Sequence, residues 1–255
     1  MVDGQSGLAV PAQPKEALMK KPFFQRLRNH LTRMFRHPVK VFVFHQVSDV
    51  FDPETMWDCD WTQTDVFKER ILALKKKYTF IPLSEVPRFL ANDKCRLKKY
   101  ASLTADDGWA SLHNILPWLT EQQIPVTLFL NPSCLDGKHW NSRATDKLLT
   151  KEEVIRIVEK GTPYITVASH GWTHKRCDGM TMETFTENVD KAEKALEGMP
   201  GKVPFYAFAS GLYTRAQVDY LRRRELIPVF VDGMVNDRDP ASIHRFCMDG
   251  GASHE

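Results

Sequence analysis

Short apolar runs recur along most of the chain, separated by longer stretches in which apolar residues return every third or fourth position. The runs are VFVF (41–44), YTFIP (78–82), YASLT (100–104), PVTLFL (125–130), YITVAS (164–169), VPFYAFA (203–209) and IPVFV (227–231). Runs this short and this continuously apolar predict strands buried on both faces. Between them, helical spacing puts Phe67, Ile71 and Leu74 on one face, and Phe185, Val189, Ala192 and Leu196 on another. Thr150 with Glu153 forms a capping box ahead of Val154, Ile157 and Val158, and Thr214 with Gln217 forms a second ahead of Val218 and Leu221. Leu112, Ile115, Leu116 and Leu119 also share a face, but Pro117 argues against an unbroken helix there. About seven strand and helix repeats predict an α/β domain over 38–255 with crossover helices, a distorted or incomplete (β/α) barrel of about seven parallel strands. A doubly wound open sheet is the alternative, and a last strand is expected around His244 and Arg245.

The N-terminal end breaks this rhythm. Residues 1–20 are rich in Gly, Pro, Gln and Ala and are expected to be disordered. In 21–37, Phe23, Leu27, Leu31 and Phe35 recur every fourth residue among Arg26, Arg28, Arg33 and Arg36, which predicts a basic amphipathic helix. Such a helix either packs on its own domain or lies peripherally on an anionic membrane face.

Charge and cysteine content narrow the setting. A net charge of +3, without a basic stripe interleaved with aromatics, gives no reason to expect a nucleic-acid partner. The five cysteines are odd in number and scattered, which suits reduced thiols. With no secretory or membrane-spanning pattern, the expectation is a cytoplasmic protein, with peripheral contact to the inner membrane face through 21–37 as an option. The pattern says nothing about oligomeric state.

The polar residues fall where such a fold places chemistry. His45, the Asp106–Asp107 pair, His170, Ser210 and Asp232 each follow a predicted strand, at the carboxyl rim on which barrel enzymes build their sites. Asp-Asp-Gly alone reads as a turn that caps the next helix. His170 and His174, four apart, can converge on one ion, and two imidazoles with one carboxylate and an open position form a hydrolytic metal site. One carboxylate of the pair can then bind metal while the other accepts a proton. Cys177, three residues past His174, raises the rival option of a structural zinc site. Lys75 to Lys77 and Arg222 to Arg224 read as solvated helix ends.

These motifs resemble the polysaccharide deacetylase family with the NodB homology domain. SLTADDGWASL is similar to that family's Thr-Phe-Asp-Asp-Gly-Tyr motif and SHGWTH to its His-(Ser/Thr)-x-x-His motif. FYAFASGLY resembles the Phe-Ala-Tyr-Pro-Tyr-Gly segment of one branch, and VFVFHQVSD its Tyr-His-x-Val-Ser opening. The resemblance implies a metal-dependent N-deacetylase of an amino sugar in a saccharide or saccharide precursor. It implies one divalent ion, zinc before cobalt or nickel, on Asp107, His170 and His174. Asp106 would be the general base, the backbone N–H of Ser210 would help hold the oxyanion, and His45 would be the general acid, with His244 as second choice. Trp109, Trp172 and Tyr213 are expected to contact the sugar. His244, in SIHRF, stands where the branch has Leu-Pro-Arg. Gly171 in place of Ser or Thr removes a hydroxyl from the metal loop, and Ala209 and Ser210 in place of Pro-Tyr loosen the oxyanion loop. A decayed carbohydrate-binding or scaffold module, and a metal hydrolase of another amide or ester, are the competing readings.

Overall fold

A computed structural model describes residues 39–50, 60–91, 98–136, 147–234, 236 and 239–250. The segments read above as disordered (1–20) and amphipathic (21–37) lie outside the described residues. The strands are β1 (Lys40–Phe44), β2 (Gln46–Val47), β3 (Trp61–Thr62), β4 (Thr79–Phe80), β5 (Tyr100–Asp107), β6 (Val126–Leu130), β7 (Ile165–Ser169), β8 (Lys202–Ala207), β9 (Ile227–Val231) and β10 (Ile243–Cys247). The helices are α1 (Thr64–Lys77), α2 (Val86–Ala91), α3 (Leu116–Glu121), α4 (Lys151–Gly161), α5 (Met182–Leu196) and α6 (Arg215–Arg223).

Seven parallel strands close into a barrel in the order β1, β5, β6, β7, β8, β9, β10, and β10 pairs back onto β1. Every pairing is parallel because each strand returns through a helix or a longer connection on the outside. Alternation along the strands divides the core. Val41, Phe129, Ala168, Phe205, Ala207, Val229 and Ile243 fill the barrel, and Leu83, Val86 and Leu90 around α2 cover its amino-terminal end. Outside, Leu103, Val126, Leu128 and Val167 pack under Phe67, Leu116, Val154 and Val158 of the helices. A third cluster joins Tyr206, Phe208 and Phe230 to Phe185, Val189, Val218 and Leu221.

Local sequence signals account for the helix starts. Both capping boxes form, with Glu153 N–H donating to Thr150 Oγ1 at 3.3 Å and Gln217 N–H to Thr214 Oγ1 at 3.4 Å. Pro117 does interrupt: 110–114 is a 3-10 helix, and α3 begins with the proline in its first turn, where its missing N–H costs nothing.

Two strand expectations are corrected. The run at 78–82 supplies only Thr79 and Phe80, paired to the start of β5 and outside the closed ring. The seventh barrel strand is β10, the last strand expected around His244 and Arg245, although no apolar run marks it. β5 also continues past Thr104, so the paired aspartates end a strand and do not sit in a turn beyond it. Among the described residues no helix is long and apolar enough to cross a membrane.

Candidate active site

The end of β5 sets the geometry. Neighbouring side chains in a strand point to opposite faces, which would separate Asp106 from Asp107. Asp107 escapes this by adopting φ 72°, followed by Gly108 at 77°, and Gly108 N–H closes the turn on Asp106 O at 2.9 Å. A glycine is needed after it: a Cβ at 108 would meet Leu130 Cδ2 at 2.8 Å. Both carboxylates consequently reach the same rim, where His170 Nε2 lies 4.0 Å from Asp106 Oδ2 and 3.4 Å from Asp107 Oδ1. His174 Nε2 approaches the same Asp107 oxygen at 3.3 Å.

Each imidazole is held from behind. His170 is buried just past β7, and its Nδ1–H donates to Ala207 O of β8 at 2.9 Å, leaving Nε2 free to accept. The loop that carries both histidines is pinned by Asn131, whose side-chain amide donates to His170 O at 2.7 Å and Gly171 O at 3.1 Å. Ser133 Oγ donates to Trp172 O, and Thr173 N–H donates to Asn188 Oδ1 at 3.1 Å. The expected looseness from Gly171 is therefore absent, for a steric reason. A Cβ there would lie 2.8 Å from Asn188 Nδ2 and 2.9 Å from Tyr206 Oη, on a backbone at φ 85°. Glycine makes room for the groups that do the anchoring.

Asp107 Oδ1 is buried and makes no hydrogen bond, although two imidazole Nε2 atoms face it. An orphaned carboxylate oxygen costs free energy in a protein interior unless a cation satisfies it. The donor set of one carboxylate and two imidazoles fits a divalent ion of the zinc type, and the three ligand atoms lie within 4.8 Å of one another. The other oxygen, Oδ2, accepts from Trp109 Nε1 at 3.2 Å. Trp109 is thus buried at 6 % exposure with its polar edge on Asp107, which differs from the sugar-facing wall expected of it.

Asp106 is handled differently. Arg245, fully buried on β10, grips it with two bonds, Nη1 to Oδ1 at 2.6 Å and Nη2 to Oδ2 at 2.8 Å, and Nη1 also reaches Thr104 Oγ1 at 3.1 Å. Burial pushes the Asp106 carboxyl up, but the guanidinium, with His170 behind it, holds it below the ordinary carboxylate range. Burial likewise works against ionised Asp107, and His174, His170 and His45 overcome it, so its carboxyl stays far below that range. The His174 imidazole is pushed down, chiefly by burial. Two ionised carboxylates beside a His174 imidazole pushed toward its neutral form are compatible with a metal site.

His45 continues the inward parity of Val39 and Val41 and stands just past β1. Its Nδ1–H donates to Asp249 Oδ2 at 2.6 Å, and its backbone N–H donates to Oδ1 at 3.2 Å. Burial would lower its pKa, but Asp249, helped by Asp107 and Asp106, raises it to about 10. Asp249 is in turn fixed by Arg70 of α1, which donates to Met248 O at 2.7 Å and Gly250 O at 2.8 Å on either side of it.

His244 sits elsewhere. It faces away from Arg245 on β10, bonds Asp232 Oδ2 through Nδ1 at 2.7 Å and packs on Phe230 at 5.2 Å. Ser210 is exposed, at φ 59° in the turn after β8, two residues beyond Phe208. Tyr213 is 40 % exposed and its ring leans on Phe208 at 4.9 Å and Phe230 at 4.6 Å, while Trp172 is half-buried in the histidine loop. Cys177 is buried among Phe185 and Tyr206 and joins no metal-capable cluster among the described residues. Three residues of this site went unassigned in the sequence. Arg245 carried a signal, since it matches the arginine of Leu-Pro-Arg in the resembling branch; Asp249 and Arg70 carried none.

Comparison with known proteins adds independent findings. Residues 93–226 match the family profile described as polysaccharide deacetylase. No curated protein sequence matches the chain. Among solved structures it is similar to IcaB from Ammonifex degensii, at 18 % identity and TM-score 0.70, covering 83 % of this chain and 92 % of that one. A deacetylase of Streptococcus pyogenes, PplD, solved in complex with acetate, matches at 17 % identity and TM-score 0.71 over 85 % and 94 %. A de-N-acetylase from Aggregatibacter actinomycetemcomitans matches at 14 % identity and TM-score 0.68 over 85 % and 97 %.

Proposed function

The chain belongs to the polysaccharide deacetylase family, and from that premise we propose that it is a metal-dependent hydrolase removing N-acetyl groups from an amino sugar of a saccharide or its precursor. One observation carries the reading: Asp107, His170 and His174 converge around an orphaned carboxylate oxygen, with Asp106 beside them. A decayed scaffold would have no use for a bidentate Arg245 clamp that keeps Asp106 ionised.

Asp107, His170 and His174 would hold the ion, which supplies Lewis acidity to the acetyl carbonyl and makes water easier to deprotonate. Asp106 takes the proton from the attacking water, and Arg245 fixes both its direction and its charge. The tetrahedral intermediate places negative charge on the former carbonyl oxygen, toward which the Ser210 backbone N–H is offered as a donor. The amine cannot depart unprotonated, and His45, kept charged by Asp249, delivers that proton. Trp172, half-buried in the histidine loop, and Tyr213, exposed against Phe208 and Phe230, are the candidate sugar contacts.

The test is metal analysis of the purified chain alongside acetate release from a panel of N-acetylated saccharides. We expect one divalent ion per chain, lost in Asp107→Asn and kept in Asp106→Asn, with acetate release abolished in both. A chain that binds no more than a trace of offered zinc would end the enzyme reading, and equal metal loss in both variants would show that the two roles are wrongly assigned.

A further inference from the structure

A second group of donors lies beside the general acid. His45 Nδ1, Cys247 Sγ and an Asp249 carboxylate oxygen all lie within 4.8 Å of one another. Cys247 Sγ is 3.5 Å from Asp249 Oδ2, and that oxygen is 2.6 Å from His45 Nδ1. The β1–β10 register, Val43 beside Cys247, brings the thiol to the end of β1, two residues before His45. We propose that these three side chains form a second, inhibitory site for a thiophilic divalent cation such as zinc. The proposal rests on His45 being the general acid.

The donor chemistry distinguishes this site from the first. A thiolate, an imidazole and a carboxylate suit zinc, cobalt or cadmium and disfavour magnesium. Ligand bonds of about 2.0–2.3 Å put tetrahedral donors roughly 3.3–3.6 Å apart, so the cysteine and aspartate already have the spacing. The His45–Asp249 contact, at 2.6 Å, has to open by less than the width of an atom. Asp249 is preset, since its side chain is fully buried and Arg70 grips the carbonyls on both sides of it. Cys247 is the exposed member, which gives the ion a route in. Partial desolvation of the sulfur and the charge of Asp249, with Asp60 adding to it, push the free thiol up to about 12, so the ion competes with a proton there and binding should tighten as pH rises.

Binding exchanges protons for metal. The ion replaces the proton on His45 Nδ1 and the proton on Cys247 Sγ, so two protons leave per ion bound and no electrons move. A His45 ring without its Nδ1 proton is a neutral imidazole, and its remaining N–H is far too weak an acid to assist a departing amine. The first equivalent of metal would therefore activate the enzyme and the second would silence it.

Cobalt reports the two sites separately. The first has only nitrogen and oxygen donors, whereas the second adds sulfur and with it a near-ultraviolet thiolate-to-cobalt charge-transfer band. Titrating the full chain with Co(II), we expect that band to grow only after the first equivalent and to vanish in Cys247→Ala. With zinc, acetate release should rise to one equivalent and then fall on the order of 10²-fold, the usual worth of a general acid, while Cys247→Ala stays active. No band in the wild-type chain, or a band that survives in Cys247→Ala, overturns the site. A band that disappears in Cys247→Ala while wild-type turnover ignores the second equivalent overturns the inhibition. The band does not depend on turnover, so a chain that releases no acetate at any loading fails the deacetylase reading and leaves the cobalt result to stand or fall alone.

Discussion

Removing the guanidinium of Arg245 separates positioning of the base from metal binding more cleanly than any other change. In Arg245→Met, Asp106 keeps its buried place but loses two charge-assisted bonds of 2.6 and 2.8 Å, and Thr104 Oγ1 loses a donor at 3.1 Å. Breaking a buried ion pair from one side costs about 3–5 kcal/mol, because the surviving charge has no partner. In a domain of this size each kcal/mol moves Tm by roughly 2–4 °C, so a fall of about 6–20 °C is expected near neutral pH. The pH dependence follows from the sign of the shift. A carboxyl held below its unfolded value stabilises the fold above that value and loses the contribution as pH falls through the folded pKa. The variant frees Asp106 to take up a proton, so its Tm deficit should shrink toward about pH 4. Turnover should fall about 10²- to 10⁴-fold, toward that of Asp106→Asn, with one metal equivalent retained. Adding Asp106→Asn to Arg245→Met should restore part of the lost stability, since no charge then remains buried. Differential scanning calorimetry at the two pH values, metal analysis and acetate release give the answer. A deficit that does not change with pH, or loss of metal along with turnover, would refute this account of Arg245.

Two further variants probe the supporting groups. Asp249→Asn removes the charge that overcomes burial at His45, so its pKa should drop from about 10 to or below the ordinary histidine range; because an acid must be protonated to act, the alkaline limb of the pH–rate profile should move acidward by units, and an unmoved limb would exclude His45 as the acid. Trp109→Phe keeps the packing but removes the indole N–H from Asp107 Oδ2, which should weaken metal affinity about 10- to 100-fold while excess metal restores turnover; unchanged affinity in a competitive chelator titration would show that the bond does not orient the ligand.

What could be read from the sequence followed from what each residue needed locally. Buried strands announce themselves when both faces are apolar, as in Val126–Leu130, and helix starts do so when the cap lies within three residues, as at Thr150 and Thr214. β10 was expected around His244 and Arg245 but carried no apolar run, because Arg245 is paid for by Asp106, 139 residues away, and no window of sequence contains both. The extent of β5 was missed for a related reason: Asp106 looks like a turn residue until its cation is known. Gly171 read as a lost hydroxyl, whereas Asn188 and Tyr206, distant in sequence, occupy the space a side chain would need. Trp109 was placed on the rim by its position, and its buried bond to Asp107 depends on a local geometry that spacing does not encode.

The site has two halves that the fold assembles by different means. The metal-capable ligands come from the end of β5 and the loop after β7, with β6 lying between those strands and Asn131 tying the loop to it. The proton-handling residues depend instead on the carboxyl-terminal end of the described chain: Arg245 on β10 holds Asp106, and Asp249, just past β10, holds His45. β10 is also the strand that closes the barrel onto β1, and Arg70 on α1 fastens the turn that follows it. Closure of the barrel and placement of the proposed acid and base therefore depend on the same strand. An incompletely closed chain could gather Asp107, His170 and His174 around an ion, yet it would have neither a fixed base nor a charged acid.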